Sequence, residues 1–117
     1  NLLKNALDAH RAAGRADAPI TIHIERQGDH LAIAVQDQGD PLSEAARARL
    51  FEPFYTTRPD GLGLGLAICR GIAETHGGAL QARPAGAAGE PGMVFELLLP
   101  LAPTATRLPP TPQDLAP

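Results

Sequence analysis

A chain of 117 residues with a formal net charge of −3 suits a single compact domain and lacks the positive excess that would hold nucleic acid by bulk electrostatics. Three Phe, one Tyr and no Trp leave most of the core to aliphatic side chains. The single cysteine, Cys69, cannot staple the chain to itself, which is consistent with a reducing compartment; no apolar run approaches the roughly 18 residues of a membrane span, and no signal-peptide pattern is present.

The opening, NLLKNALDAH, reads as a helix already in mid-course. Leu2, Leu3, Ala6 and Leu7 make an apolar stripe at helical spacing, continued near Ala9. No methionine precedes Asn1, so the expectation is a fragment of a longer chain. The helix is predicted to run to about Ala13 and to stop near Gly14, with Pro19 beyond. ITIHIE alternates, with Ile20, Ile22 and Ile24 opposite Thr21, His23 and Glu25. LAIAVQD alternates again through Leu31, Ile33 and Val35, after a turn containing Gly28 and Asp29. An antiparallel hairpin with one buried face follows.

Ser43 is placed to cap a short helix over Glu44 to Leu50. FEPFYTTRPDG, broken by Pro53 and Pro59, reads as loop, and a further helix is predicted from about Leu64 to Thr75. ALQAR and MVFELLL read as strands, the second with Met93, Phe95, Leu97 and Leu99 on one side. From Pro103 the chain is a proline-rich tail with little capacity to pack. Helices with antiparallel strands imply a two-layer α/β sandwich.

Three patterns carry chemistry. Gly61, Gly63 and Gly65 lead into a helix start. Glycine lets backbone N–H groups approach an anion, and a helix N-terminus presents unsatisfied N–H groups, so the pair can cradle phosphate. A loop packed against a helix start reads the same way. The run is neither a dinucleotide fingerprint nor a P-loop, having no Gly-Lys-Ser/Thr. Asn1 and Asn5 are four apart and share a helix face, where their carbonyl oxygens suit Mg²⁺ or simply face water. Asp37 ends a strand before a glycine turn. A carboxylate there can accept from an adenine amino group and would reject guanine, which offers an acceptor at that place; it is equally a turn-forming residue.

In this order, NLLKNALDA, DQGD, FEPFYTTR and GLGLGLAI with ETHGG resemble the four conserved boxes of the catalytic ATP-binding domain of sensor histidine kinases. The flavour is similar to the nitrogen-regulation and C4-dicarboxylate sensors. The resemblance runs from Asn1 to about Pro100. It implies a Bergerat-type α/β sandwich, with a mixed, largely antiparallel sheet, helices on one face, and ATP held between the helix layer and a mobile lid. Residues 1–102 would be the ATP-binding domain, lacking its N-terminal strand and helix start, and 103–117 a tail.

Carried over by position, the resemblance makes Asn5 the Mg²⁺ ligand and Asn1 a second polar group near phosphates or metal. Asp37 would bind the adenine amino group and Gly39 would let the base come close. Gly61, Gly63, Gly65 and Leu66 would line the triphosphate, with Thr57 and Arg58 as further contacts. Phe51 and Phe54 would pack the lid base, and Lys4 would be solvated. Related mismatch-repair and chaperone ATPases, and anti-sigma serine kinases, place a glutamate where this chain has Asn1. Asparagine cannot act as general base, whereas a neutral histidine acceptor is itself nucleophilic, so the resemblance favours histidine phosphotransfer over ATP hydrolysis or serine phosphorylation. The partners implied are a histidine-bearing dimerisation domain and a response regulator, with no nucleic acid. The location implied is cytoplasmic, in a parent that many relatives anchor in a membrane.

Two departures stand out. Pro41 replaces the second glycine of the usual Asp-x-Gly-x-Gly, removing an N–H and fixing φ, and the upstream strand is missing. Pro41 supports the alternative of an interaction module that no longer binds ATP. His10, His23, His30 and His76 lie in no phosphoacceptor block. His76 is placed to complement a helix C-terminus, His23 lies on a polar strand face, and Cys69 reads as a packing residue.

Overall fold

Alternation of isoleucine with polar residues does produce a hairpin. In the computed structural model, which describes residues 1–56, 63–87 and 89–101, β1 (Thr21–Gln27) pairs antiparallel with β2 (His30–Gln36). The later strands β3 (Ala79–Pro84) and β4 (Met93–Pro100) complete a sheet of order β1-β2-β4-β3. Every pairing among the described residues is antiparallel. The register sets Ile22, Val35, Phe95 and Ala82 in one row, and Ile24, Ile33, Leu97 and Leu80 in the next. Residues opposite one another on paired strands share a face, so these rows form one apolar surface.

The helix α1 (Leu2–Ala12) lies over β2, and α3 (Gly65–Thr75) lies over β3 and β4 and touches α1. The two layers are the α/β sandwich that the resemblance implies. Ala6 of α1 and Ala73 of α3 are each 1 % exposed, and their small side chains let backbone approach backbone. Val35, Phe95 and Leu80 fill the buried centre of the sheet. The short helix α2 (Glu44–Arg49) starts as its sequence dictates, with the Ala46 N–H donating to Ser43 Oγ at 3.1 Å.

Two expectations about burial are corrected. The apolar face of the hairpin is covered on β2 but not on β1, where Ile22 and Ile24 are 51 % and 60 % exposed. The helix layer ends over β2, so each isoleucine forgoes roughly half of the 1.5–3 kcal/mol that full burial gives. On α1 the buried positions are Ala6 and His10, while Leu3 and Leu7 remain 49 % and 45 % exposed. The buried stripe is thus rotated away from the largest side chains. Between the first turn of α1 and the second half of α3 an open apolar cavity of about 630 Å³ remains, lined by Leu3, Ile72, His76, Leu80, Leu97 and Leu99 among others. The predicted tail, 103–117, lies outside the described residues.

Candidate functional site

The β2–β4 ladder continues one step past β2. The Asp37 N–H donates to the Met93 carbonyl at 3.0 Å. Asp37 Oδ1 then accepts from the Met93 N–H at 3.1 Å and from the Gly39 N–H at 3.0 Å. The residue is 3 % exposed. Two donated N–H groups on one oxygen offset the cost of burying a carboxylate. The Gly39 carbonyl in turn accepts from the Gly92 N–H at 2.9 Å. Gly92 has φ +104°, and a Cβ there would stand 2.5 Å from the Asp37 carbonyl oxygen, so only glycine closes this corner.

The end of α1 presses on the same turn from the other side. A Cβ on Gly39 would meet Ala9 Cβ at 2.9 Å and the Ala9 carbonyl at 3.3 Å. The absence of a side chain at Gly39 is therefore required by helix packing, whatever else approaches it. The Gln38 N–H donates to His10 Nε2 at 2.7 Å, with His10 1 % exposed. Arg15 Nη1 donates to the Gln38 carbonyl at 2.9 Å and lies 3.6 Å from Asp40 Oδ1. Pro41 is exposed beyond these anchors, and the bonds that hold the turn come from Met93, Gly92, His10 and Arg15.

Asn1 is the N-cap of α1 and makes no side-chain cap bond; its carbonyl accepts the Asn5 N–H at 2.8 Å. Asn5 is half-buried, five residues or about 7.5 Å of helix before His10. Lys4 is exposed and pairs with Asp8 at 3.0 Å, in keeping with a solvated role. The cavity joins the first turn of α1 to the second half of α3. The N-terminus of α3 is therefore not the end of that helix that borders the cavity.

At that N-terminus Leu64 provides no side-chain cap. Gly65 is exposed, and a Cβ on it would meet nothing within 4 Å, so no described side chain crowds the first residue of the helix. Leu66 is half-buried. Gly63 has φ +74°, its carbonyl accepts the Phe54 N–H at 2.8 Å, and a Cβ would stand 2.5 Å from the Phe54 carbonyl carbon. Gly63 thus serves the contact between the two loop segments. Phe51 is half-buried, with the Arg70 guanidinium 5.0 Å from its ring centroid. Phe54 departs from expectation: at 73 % exposed and φ 68° it contributes backbone, not a packed ring. Thr57, Arg58 and Gly61 lie outside the described residues.

Sequence reasoning weighed His10 only as a phosphoacceptor and missed its hydrogen bond. The available signal was the Ala6–His10 spacing, which puts the imidazole on the buried face one turn after a fully buried alanine. Arg15 and Gly92 carried no local signal, since their partners are 23 and 53 residues away. Among the described residues no group of three or more His, Cys, Asp or Glu could hold a metal ion, and no helix is long and apolar enough to cross a membrane.

Residues 1–103 match the family model for histidine kinase-, DNA gyrase B- and HSP90-like ATPases. The chain is 42 % identical over 103 residues to the sensor protein TdiS of Thauera aromatica, and 38 % identical over 101 residues to the C4-dicarboxylate transport sensor protein DctS of Rhodobacter capsulatus. Each match takes in 86 % of this chain but only 18 % and 15 % of those proteins. The nucleotide-free catalytic domain of the histidine kinase ThkA superposes with a TM-score of 0.71 at 34 % identity, over 87 % of this chain and 63 % of that one. Full-length ShkA, solved in complex with AMPPNP, gives 0.70 at 29 % identity, over 90 % of this chain and 21 % of that one. The chain therefore belongs to the histidine kinase-, DNA gyrase B- and HSP90-like ATPase family, in the form found as the catalytic domain of sensor histidine kinases.

Proposed function

We propose that this domain binds Mg²⁺-ATP and delivers the γ-phosphoryl group to a histidine on a separate dimerisation domain, from which a response regulator takes it. The observation that carries the reading is the buried Asp37 carboxylate, held by two backbone N–H groups through Oδ1. Oδ2 is then the oxygen that accepts from the adenine amino group. Guanine presents an oxygen there, and acceptor would meet acceptor.

The triphosphate lies toward the N-terminus of α3, where Leu64 supplies no side-chain cap and first-turn N–H groups can stabilise anionic oxygens. Gly63, Gly65 and Leu66 would line it there, and by the resemblance Gly61, Thr57 and Arg58, outside the described residues, would be further contacts. Asn5 supplies a hard oxygen ligand for Mg²⁺ and Asn1 a second polar group near the phosphates. The donor set fits a metal held by one or two protein oxygens together with phosphates and water, as Mg²⁺ prefers. When bound, Mg²⁺ neutralises charge on the phosphates. The chain's own part is to orient the nucleotide and donate N–H groups. Asn1 and Asn5 cannot take up a proton, so the acceptor must be nucleophilic without a base from α1.

Residues 1–102 are the binding unit, and 103–117 are dispensable to it. In the parent protein the domain faces the cytoplasm. Calorimetric titration with ATP and Mg²⁺, against ADP and GTP, tests the site. Saturable, Mg²⁺-dependent binding that rejects GTP is expected. Equal affinity for ATP and GTP would sink the assignment of Asp37, and no binding at all would favour the interaction module that Pro41 suggests.

A further inference from the structure

We propose that His10 is a positioning residue for base recognition: its neutral imidazole, buried in the last turn of α1, holds the peptide that follows Asp37. The proposal rests on the reading of Asp37 as the adenine acceptor. The donor in the 2.7 Å contact is the Gln38 N–H, so Nε2 must present a lone pair and the proton must sit on Nδ1. Nδ1 is buried and has no hydrogen-bond partner among the described residues. An imidazolium would carry donors on both nitrogens and lose the contact. The geometry therefore selects one tautomer of the neutral ring.

Packing alone does not account for an imidazole here. An apolar side chain of similar size would fill the same space without burying an unpartnered N–H. It would leave the Gln38 N–H without its acceptor, in a turn whose neighbours on both sides are fixed. Asp37 is tied to Met93, and Gly39 is tied to Gly92 and pressed on Ala9. Arg15 holds the Gln38 carbonyl from the same side. His10 and Arg15 thus grip the two peptide groups of Gln38, and His10 grips the one joined directly to Asp37. Without that bond the turn that carries the carboxylate is tied less closely to α1, and discrimination between adenine and guanine depends on where the turn as a whole stands.

The test compares His10→Leu, His10→Gln and Asp37→Asn in the 117-residue chain, by calorimetry with Mg²⁺-ATP and Mg²⁺-GTP. His10→Leu is expected to weaken ATP binding by about tenfold, the size of one lost hydrogen bond to a buried group, and to narrow the ATP-over-GTP ratio. His10→Gln, whose amide oxygen can accept in place of Nε2, is expected to restore both. Equal loss in the leucine and glutamine variants would overturn the proposal, as would an unchanged ratio in His10→Leu beside strong loss in Asp37→Asn. An Asp37→Asn variant that binds as the parent does would instead remove the nucleotide reading beneath it. Should His10→Leu not fold, long-range proton–nitrogen NMR of the parent chain decides: a protonated Nδ1 and bare Nε2 are expected, and the opposite tautomer or a doubly protonated ring overturns the proposal.

Discussion

Two stripes of α1 are packed in opposite ways. Along Ala6, Ala9 and His10 the side chains are small or polar, and contact is close: Ala6 is fully buried, Ala9 leaves no room for a Cβ on Gly39, and His10 is bonded to Gln38. Leu3 and Leu7, the large apolar residues one turn apart on the neighbouring stripe, are both about half exposed, and Leu3 borders an open cavity. Side-chain size thus does not decide which stripe is held. A turn that must fix a buried carboxylate needs backbone brought close, and alanine and glycine allow that where leucine would not.

The corner at Asp37 should break most easily by adding a single methyl group. Gly92→Ala places a Cβ 2.5 Å from the Asp37 carbonyl in a residue at φ +104°. Overpacking and backbone strain together predict a loss of about 3–5 kcal/mol, measured by urea denaturation. A loss below about 1 kcal/mol would mean that the corner yields without strain. Next in size is Asn5→Ala, which should reduce Mg²⁺-dependent ATP affinity by about a hundredfold or more, or roughly 2.7 kcal/mol. Unchanged affinity would remove Asn5 as the metal ligand.

A pair of core substitutions sharpens the contrast along α1. Ala6→Val adds volume where none is free and should cost about 1–3 kcal/mol. Leu7→Ala removes far more carbon from a half-exposed site and should cost less than about 1 kcal/mol. Both are read from denaturation midpoints at constant slope. If Leu7→Ala proved the more damaging, the stripe that carries Leu3 and Leu7 would be covered in solution and the comparison would fail.

Much of the layout was legible in the sequence because it depends on local chemistry. The alternation in ITIHIE and LAIAVQ, the Ser43 cap, and the glycines after α3 each fix an element within a few residues of where it is found. What was not legible depends on which layer covers which strand. Ile22 and Ile24 alternate as a buried face should, but the helix layer stops at β2, and periodicity does not encode that reach. The stripe on α1 was read from its largest side chains, whereas burial followed the positions nearest the Asp37 turn. Asp37 and Gly39 could be singled out from DQGD, yet the groups that hold them, Gly92, Met93, His10 and Arg15, lie far away in sequence and meet them only in the fold.

The smallest effect is expected on the polar face of β1, which is as exposed as its apolar face but is satisfied differently. His23, Glu25 and Gln27 alternate on that face, with His23 Nε2 3.0 Å from Glu25 Oε2 and Gln27 Nε2 3.2 Å from Glu25 Oε1. The hydrogen bond from His23 holds the Glu25 carboxyl below its ordinary value, assisted by Gln27 and by the charge on His23. A lowered carboxylate value means that the folded state gains stability above the unfolded value and loses it as pH falls through the folded one. Because Glu25 is exposed on an edge strand, water and salt screen that gain. Glu25→Gln should therefore melt with the parent chain at neutral pH, or marginally below it, and any gap should close on acidification. A large gap at neutral pH would show that the polar ladder stabilises the edge strand in place of its uncovered isoleucines, and that exposure on the two faces of β1 has different consequences.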